Sequence, residues 1–392
     1  MNRRISKILV TIFLVMIAGA FLLTVPFLGD QEDCIVKTEN RTITRYVPLK
    51  SLKNRDIKAY FKNLDDFIGD RLFLRDKLVT LMNGILRTPK WFSVYDVLNG
   101  VKGVTGEDGF LFLGNSYSQV LDRHFSKKFH EKQQDLKKLS ARLDGFRVRA
   151  HDVGASFSVF IAPDKHGIYC EKFPVFMMQK PCSLTDEFTL ELSKRLEQEN
   201  FDVFYPYEAL RKHRDIPLYY KTDTHWNLQG AAVAFDAFVD HLKTSAKLPA
   251  DFLKVKPDLT QSKVSRPMDL GAIIGVNADF KVDDVDYALN DHIEVLWSQK
   301  GSAFAKTEIM NACAQGQNAD WYGEMKNPHA LNKMKILMIC DSFATAFSRI
   351  MNLNFSQALY ISRHSDDSFC YEKIAKFRPD LVIYESVERD FR

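Results

Sequence analysis

No lysine- or arginine-rich block occurs in this chain, and its 54 basic residues are nearly matched by 50 acidic ones, leaving a formal net charge of +4. Without a basic field there is no electrostatic footprint for nucleic acid, so that class of function is set aside. The spacings CxxC, HExxH and HxH are also missing, which argues against a metal centre, and no cofactor is expected. There is no internal repeat and no long low-complexity linker. What the chain does have is apolar content: 46% hydrophobic and 12% aromatic residues over 392 positions supply a core for one large domain or two ordinary ones.

The stretch from Ile8 to Leu28 carries no charge and, as a helix, matches the hydrocarbon thickness of a bilayer, roughly 30 Å. Arg3, Arg4 and Lys7 precede it, and Asp30, Glu32 and Asp33 follow, so the positive-inside rule expects the N-terminus in the cytoplasm and the rest of the chain outside it. A cleavable signal peptide is the rival, with Ala18-Gly19-Ala20 as its cleavage site, but apolar residues continue through Leu28, which a cleaved segment does not need. Six cysteines in an oxidising compartment permit disulfides, and Cys170 with Cys182, flanking a proline-containing loop, is the best pair by proximity. Cys340 reads as a buried small hydrophobe.

Short β-like character over Ile35 to Leu49 precedes a helical period from Arg55 to Leu86, and a glycine-punctuated turn at Gly103 to Gly114 leads into a short strand. From Lys127 the chain alternates. Helices are expected at Lys127 to His151, Thr185 to Asn200, Leu228 to Leu242, after Ser342, and at Phe369 to Phe377. Strands are expected at Ser156 to Pro163, Phe201 to Tyr207, Lys335 to Cys340, Ala358 to Arg363 and Asp380 to Ser386. Alternation of this kind predicts a parallel sheet with helices on both faces, and such sheets form sites at the carboxyl ends of their strands, where Ser342 and the Asp164-Lys165 turn fall. The expected division is an anchor over 1–29, a helical and extended segment over 30–115, and a main domain over 116–392 with an insertion at about 244–334, where the pattern weakens.

Within Thr222 to Gln229 (TDTHWNLQ), Asp223 stands two residues before His225 at a junction into a helix. A carboxylate beside an imidazole of pKa near 6.5 fixes its tautomer and stabilises its charged form, which is what a general base for a hydroxyl requires. Ser342 follows the apolar run Lys335 to Cys340 on a turn into a helix, the geometry that exposes a nucleophilic hydroxyl. Bland readings compete: Asp223 and Thr224 as turn residues, His225 as a core histidine, Asn227 as a helix N-cap, Asp341 and Ser342 as turn and cap residues. His364, in a polar loop, is the rival base.

Five segments resemble the alginate O-acetyltransferases of the AlgJ and AlgX type. They are GEDGFLFLG (Gly106 to Gly114), APDKHGIY (Ala162 to Tyr169), YYKTDTHWNLQGA (Tyr219 to Ala231), CDSF (Cys340 to Phe343) and the ending RPDLVIYESVERDF (Arg378 to Phe391). The resemblance implies an SGNH-hydrolase-like, flavodoxin-like fold in a permuted motif order. It also implies Asp223, His225 and Ser342 as acid, base and nucleophile of acetyl transfer onto an exported polysaccharide such as alginate, fed by a polytopic membrane O-acyltransferase. Asn227, Asp341 and Tyr220 are the expected substrate or oxyanion contacts. The family usually has glycine where Cys340 stands, which bears on the tightness of the turn. The resemblance is closest in kind to the anchored, single-domain type, with no carbohydrate-binding module of the family's kind expected. A periplasmic carbohydrate acetylesterase and a non-catalytic polysaccharide-binding or assembly protein are the alternatives.

Overall fold

The computed structural model describes residues 35–36, 41–42, 44, 46–48, 57–70, 102–127, 133–264, 267–274, 283–290, 296–299 and 322–391. The candidate span Ile8 to Leu28 lies outside them, and among the described residues no helix is long and apolar enough to cross a membrane. Two compact units are present, residues 1–92 with 271–277 and residues 93–270 with 278–392. In the first, β1 (Ile35–Val36) pairs antiparallel with β2 (Arg41–Thr42). Helix α1 (Ile57–Asp70) sets Phe67 against Tyr46, ring centroids 5.5 Å apart. The expected helix to Leu86 is described only as far as Asp70.

The second unit begins with an antiparallel hairpin of β3 (Gly103–Thr105) and β4 (Leu111–Leu113), followed by the short α2 (Val120–Phe125). Helix α3 (Gln133–Asp152) ends at Gly154, whose φ of +80° is the left-handed conformation that glycine adopts without penalty. This turn delivers β5 (Ser156–Ala162), which is followed by α4 (Lys165–Ile168), α5 (Glu187–Gln198) and β6 (Val203–Phe204). β6 is shorter than expected because Pro206, which offers no N–H to a ladder, stands at the start of α6 (Tyr207–Lys212). Helix α7 (Leu228–Thr244) leads to an antiparallel pair, β7 (Leu259–Val264) and β8 (Asp284–Leu289), with α8 (Asp269–Ile274) between them in sequence. The remaining elements are β9 (Leu296–Gln299), β10 (Tyr322–Lys326), β11 (Asn332–Cys340), α9 (Ala344–Asn354), β12 (Phe355–Ser362), α10 (Asp367–Phe377) and β13 (Leu381–Val387).

These strands form a seven-stranded sheet in the order β6-β5-β13-β11-β12-β10-β9. The first five are parallel, as the alternation predicts, but β10 runs antiparallel to β12 and β9 antiparallel to β10, so the sheet is mixed rather than parallel. Both extra strands come from the region expected to be an insertion beside the core, and they extend the core sheet instead. A short antiparallel edge needs no crossover helix, so it leaves no helical period in the sequence.

Helices cover both faces. Val159 and Ile161 of β5 pack in one core with Leu143 and Phe146 of α3 and Leu192 of α5. Phe160, between them, points to the other face and meets Phe238 of α7 and Phe347 of α9 at 5.0 and 4.8 Å between ring centroids. Burying one such ring contributes about 1.5–3 kcal/mol. A strand buried on both faces reads as an apolar run, as β5 and the second half of β11 do. From these central strands the chain leaves in opposite directions, β5 to β6 on one side and β11 to β12 on the other. The crevice at their carboxyl ends is where a ligand site forms in such sheets.

Candidate active site

Residues 219–226 form a narrow loop closed by an antiparallel bridge between Tyr219 and Trp226, with the Asn227 N–H donating to Leu218 O at 2.9 Å. The loop stays narrow because α7 starts hard against it. Asn227 caps the helix, its side chain accepting from Gly230 N at 3.0 Å, and a Cβ on Gly230 would lie 2.2 Å from Leu218 O, so only glycine permits the approach. Inside the loop sits the buried ammonium of Lys165, from the turn after β5, donating to Tyr220 O (3.0 Å), Lys221 O (3.0 Å) and Asp223 O (2.6 Å). Burial lowers the Lys165 pKa to about 8, with Asp269, Asp223 and Asp284 acting in the opposite direction.

Next to the bridge that closes the loop, His225 Nδ1 lies 2.6 Å from Asp223 Oδ1, which also accepts the His225 backbone N–H at 3.0 Å. Across 117 residues of sequence, Ser342 Oγ lies 2.8 Å from His225 Nε2. With Nδ1 donating to the carboxylate, Nε2 is the lone-pair nitrogen and accepts from the serine hydroxyl. Burial by itself disfavours the imidazolium, yet the Asp223 charge and hydrogen bond, with Asp269 behind them, raise the His225 pKa above its ordinary value. Asp223 is shifted the other way: burial would raise it, but the His225 charge and hydrogen bonds hold it below the usual carboxylate range. Trp226 Nε1 donates to Phe343 O at 2.9 Å and fastens the histidine loop to the serine turn.

The serine turn is built around Asp341, whose Oδ1 accepts from Phe343 N at 2.9 Å and Oδ2 from Val387 N at 2.8 Å. Its own N–H donates to Glu385 Oε2 at 2.9 Å. Burial, followed by the Asp341 charge, pushes the Glu385 carboxyl well above its usual range. Cys340 is buried at the end of β11. The Ser342 amide N–H has no acceptor among the described residues and lies at the N-terminal end of α9.

The three expected substrate or oxyanion side chains are engaged elsewhere. Asn227 is fully buried as the cap and donates to Pro217 O, Asp341 holds the serine turn, and the Tyr220 hydroxyl donates to Asp286 Oδ1 at 2.5 Å. His364 is exposed on the loop after β12. Cys170 and Cys182 form a disulfide, as their spacing suggested. Two neighbours escaped the sequence reading. Lys165 was visible as a turn residue but not as the filling of the loop. Asp269, which accepts from Thr224 N at 2.8 Å and from Thr224 Oγ1 at 2.6 Å, sits in the weakly patterned region and carries no local signal.

Residues 104–278 match the family model described as SGNH hydrolase-like domain, acetyltransferase AlgX. That span contains Asp223, His225 and Asp269 but not Ser342. No curated protein matches the chain. Among solved structures, Bacillus cereus PatB1 with a sulfonyl adduct is similar at 15% identity and a TM-score of 0.51, covering 67% of this chain and 90% of its own. The O-acetyltransferase domain of Pseudomonas putida AlgJ aligns at 16% identity and a TM-score of 0.45, covering 74% of this chain and 91% of its own. At such identities the likeness to PatB1 speaks for the fold alone. Over residues 104–278 the chain is thus similar to the SGNH hydrolase-like domain of the acetyltransferase AlgX, which bears out the resemblance over the three motif segments that fall in that span.

Proposed function

We propose that the protein transfers acetyl groups to hydroxyls of an exported polysaccharide through an acyl-enzyme on Ser342. The observation that carries this reading is the continuous hydrogen-bonded line Asp223 Oδ1, His225 Nδ1, His225 Nε2, Ser342 Oγ. His225 Nε2 takes the Ser342 proton as Oγ attacks the carbonyl carbon of an acetyl ester or thioester. The bond to the donor's oxygen or sulfur then breaks, and His225 returns the proton to that leaving group. In the second half a sugar hydroxyl gives its proton to His225, attacks the acetyl carbonyl, and Ser342 leaves as the neutral hydroxyl. The unengaged Ser342 amide and the α9 N-terminus support the oxyanion of both tetrahedral intermediates.

Water and a sugar hydroxyl compete for the same acyl-enzyme, so acceptor partition is the test. Incubation with p-nitrophenyl acetate is expected to add one acetyl group at Ser342, and added oligosaccharide is expected to draw that acetyl onto its hydroxyls. Release as acetate alone, with no acetylated sugar for any polymer offered, would make the protein an esterase. Absence of the Ser342 adduct would remove the mechanism altogether.

The charge-free stretch Ile8 to Leu28 and its flanking charges support a single anchor with the N-terminus in the cytoplasm and the site in the periplasm. There, a polytopic acyltransferase held close by would raise the local concentration of acyl donor. Fractionation with N-terminal sequencing is expected to find the intact N-terminus in the detergent-extracted membrane. A chain starting at Phe21 and released without detergent would show that the segment is cleaved.

A further inference from the structure

Asp223 is not the only carboxylate on the Nδ1 side of His225. Asp269 Oδ2 lies 3.8 Å from the same nitrogen, and the Thr224 hydroxyl stands between them, 2.6 Å from Asp269 Oδ2 and 3.1 Å from His225 Nδ1. A hydroxyl has one proton and two acceptor lone pairs. A carboxylate takes only the proton, so Thr224 Oγ1 donates to Asp269 and keeps its lone pairs facing the His225 Nδ1–H. The backbone holds this arrangement. Thr224 N donates to Asp269 Oδ1, Leu270 N to Thr222 O at 3.0 Å, and Met268 N to Thr222 Oγ1 at 3.2 Å.

We infer that Asp269, acting through the Thr224 hydroxyl, is a positioning residue that shares with Asp223 the task of orienting His225 and stabilising its charged form; this deepens the catalytic reading above and rests on it. The imidazole is held by two arms, one direct and one relayed. Charged groups facing the pair are Asp223 on the same loop, the Lys165 ammonium from the turn after β5, and Arg389 from the turn after β13. Burial, then the Asp223 charge, raises the Asp269 pKa to about 6, so this arm is charged above that pH and neutral below it.

The test uses Thr224→Val, Thr224→Ser, Asp269→Asn, Asp223→Ala and the double variant Asp223→Ala/Asp269→Asn in the full chain. Acylation of Ser342 by p-nitrophenyl acetate is followed by intact mass, and the His225 ring is titrated by nitrogen-15 NMR. Thr224→Val and Asp269→Asn are each expected to slow acylation by roughly tenfold, a size ordinary for coupling between contacting groups, and Thr224→Ser to stay near the wild-type rate. Removing the Asp269 charge is also expected to move the His225 titration, and the acid limb of the rate profile, to lower pH, a change that loss of packing alone does not produce. In the Asp223→Ala background Asp269 is the only remaining carboxylate arm among the described residues, so the double variant is expected to fall below the product of the two single losses.

A multiplicative double loss, or an unshifted His225 titration in Asp269→Asn, overturns the inference. Should Asp269→Asn not fold, wild-type acylation by Thr224→Val does the same. If the wild-type protein forms no adduct at Ser342, the catalytic reading fails, and the NMR titration alone then decides whether Asp269 acts on His225.

Discussion

Replacing Ser342 by alanine is expected to cut acetyl-ester turnover by on the order of a thousandfold or more, and adding His225→Ala to it is expected to cost almost nothing further. The two groups share one step. His225 Nε2 exists in this site to take the proton from an oxygen 2.8 Å away, and once that oxygen is gone the imidazole has nothing to activate. Asp223→Ala is expected to join the same unit, since its carboxylate acts only by fixing the Nδ1 tautomer and stabilising the imidazolium. p-Nitrophenol release by each single variant and the pair decides the matter. Independent, multiplicative losses, or near-normal turnover by Ser342→Ala, would break the triad and bring the exposed His364 back as a base.

His124→Gln is expected to destabilise the protein by on the order of 3 kcal/mol at pH 6 and by far less at pH 9. His124 is buried, with Nε2 3.2 Å from Glu388 Oε1 and 3.6 Å from Asp164 Oδ2, and its ring stacks on His166 at 5.3 Å between centroids. Burial opposes its charge, but Glu388 and Asp164 outweigh that and raise its pKa to about 9. His166 is driven down to about 3, first by burial and then by the His124 charge, so it stays neutral and its Nε2–H donates to Leu113 O. Between pH 6.5 and 9 the native chain therefore holds a proton on His124 that the unfolded chain has released. The stability it contributes is complete below pH 6.5 and drains away as pH rises through 9. Lys165 works against this slope above about pH 8, where the folded chain releases a proton that the unfolded one keeps. Comparing variant with wild type at each pH removes that contribution. Urea unfolding at pH 6 and pH 9 is the measurement, and an equal loss at both would refute the charged, buried His124.

Much of this molecule was legible along the chain. The apolar runs of β5 and the second half of β11 are buried on both faces, so their sequences are nearly continuous in hydrophobes. The helical faces of α7 and α9 repeat at the period a helix must have. Asp223 and His225 were readable because they meet within one loop, where two residues of spacing suffice for a hydrogen bond. Ser342 was readable as a residue on a strand-to-helix turn, and its meeting with His225 was expected from the chemistry of the three residues and from the resemblance, not from any local pattern. That contact depends on β11 lying centrally in the sheet and on Trp226 fastening the two turns, neither of which leaves a local pattern.

Local sequence thus determined the order and kind of the core elements, because burial and helical or pleated geometry impose a period on neighbouring residues. Tertiary structure alone decided the antiparallel edge formed by β9 and β10, the filling of the histidine loop by Lys165, and the arrival of Asp269 behind Thr224. A polar side chain contributes no period, and its partner is chosen by where the folded backbone brings it, not by its neighbours in the chain.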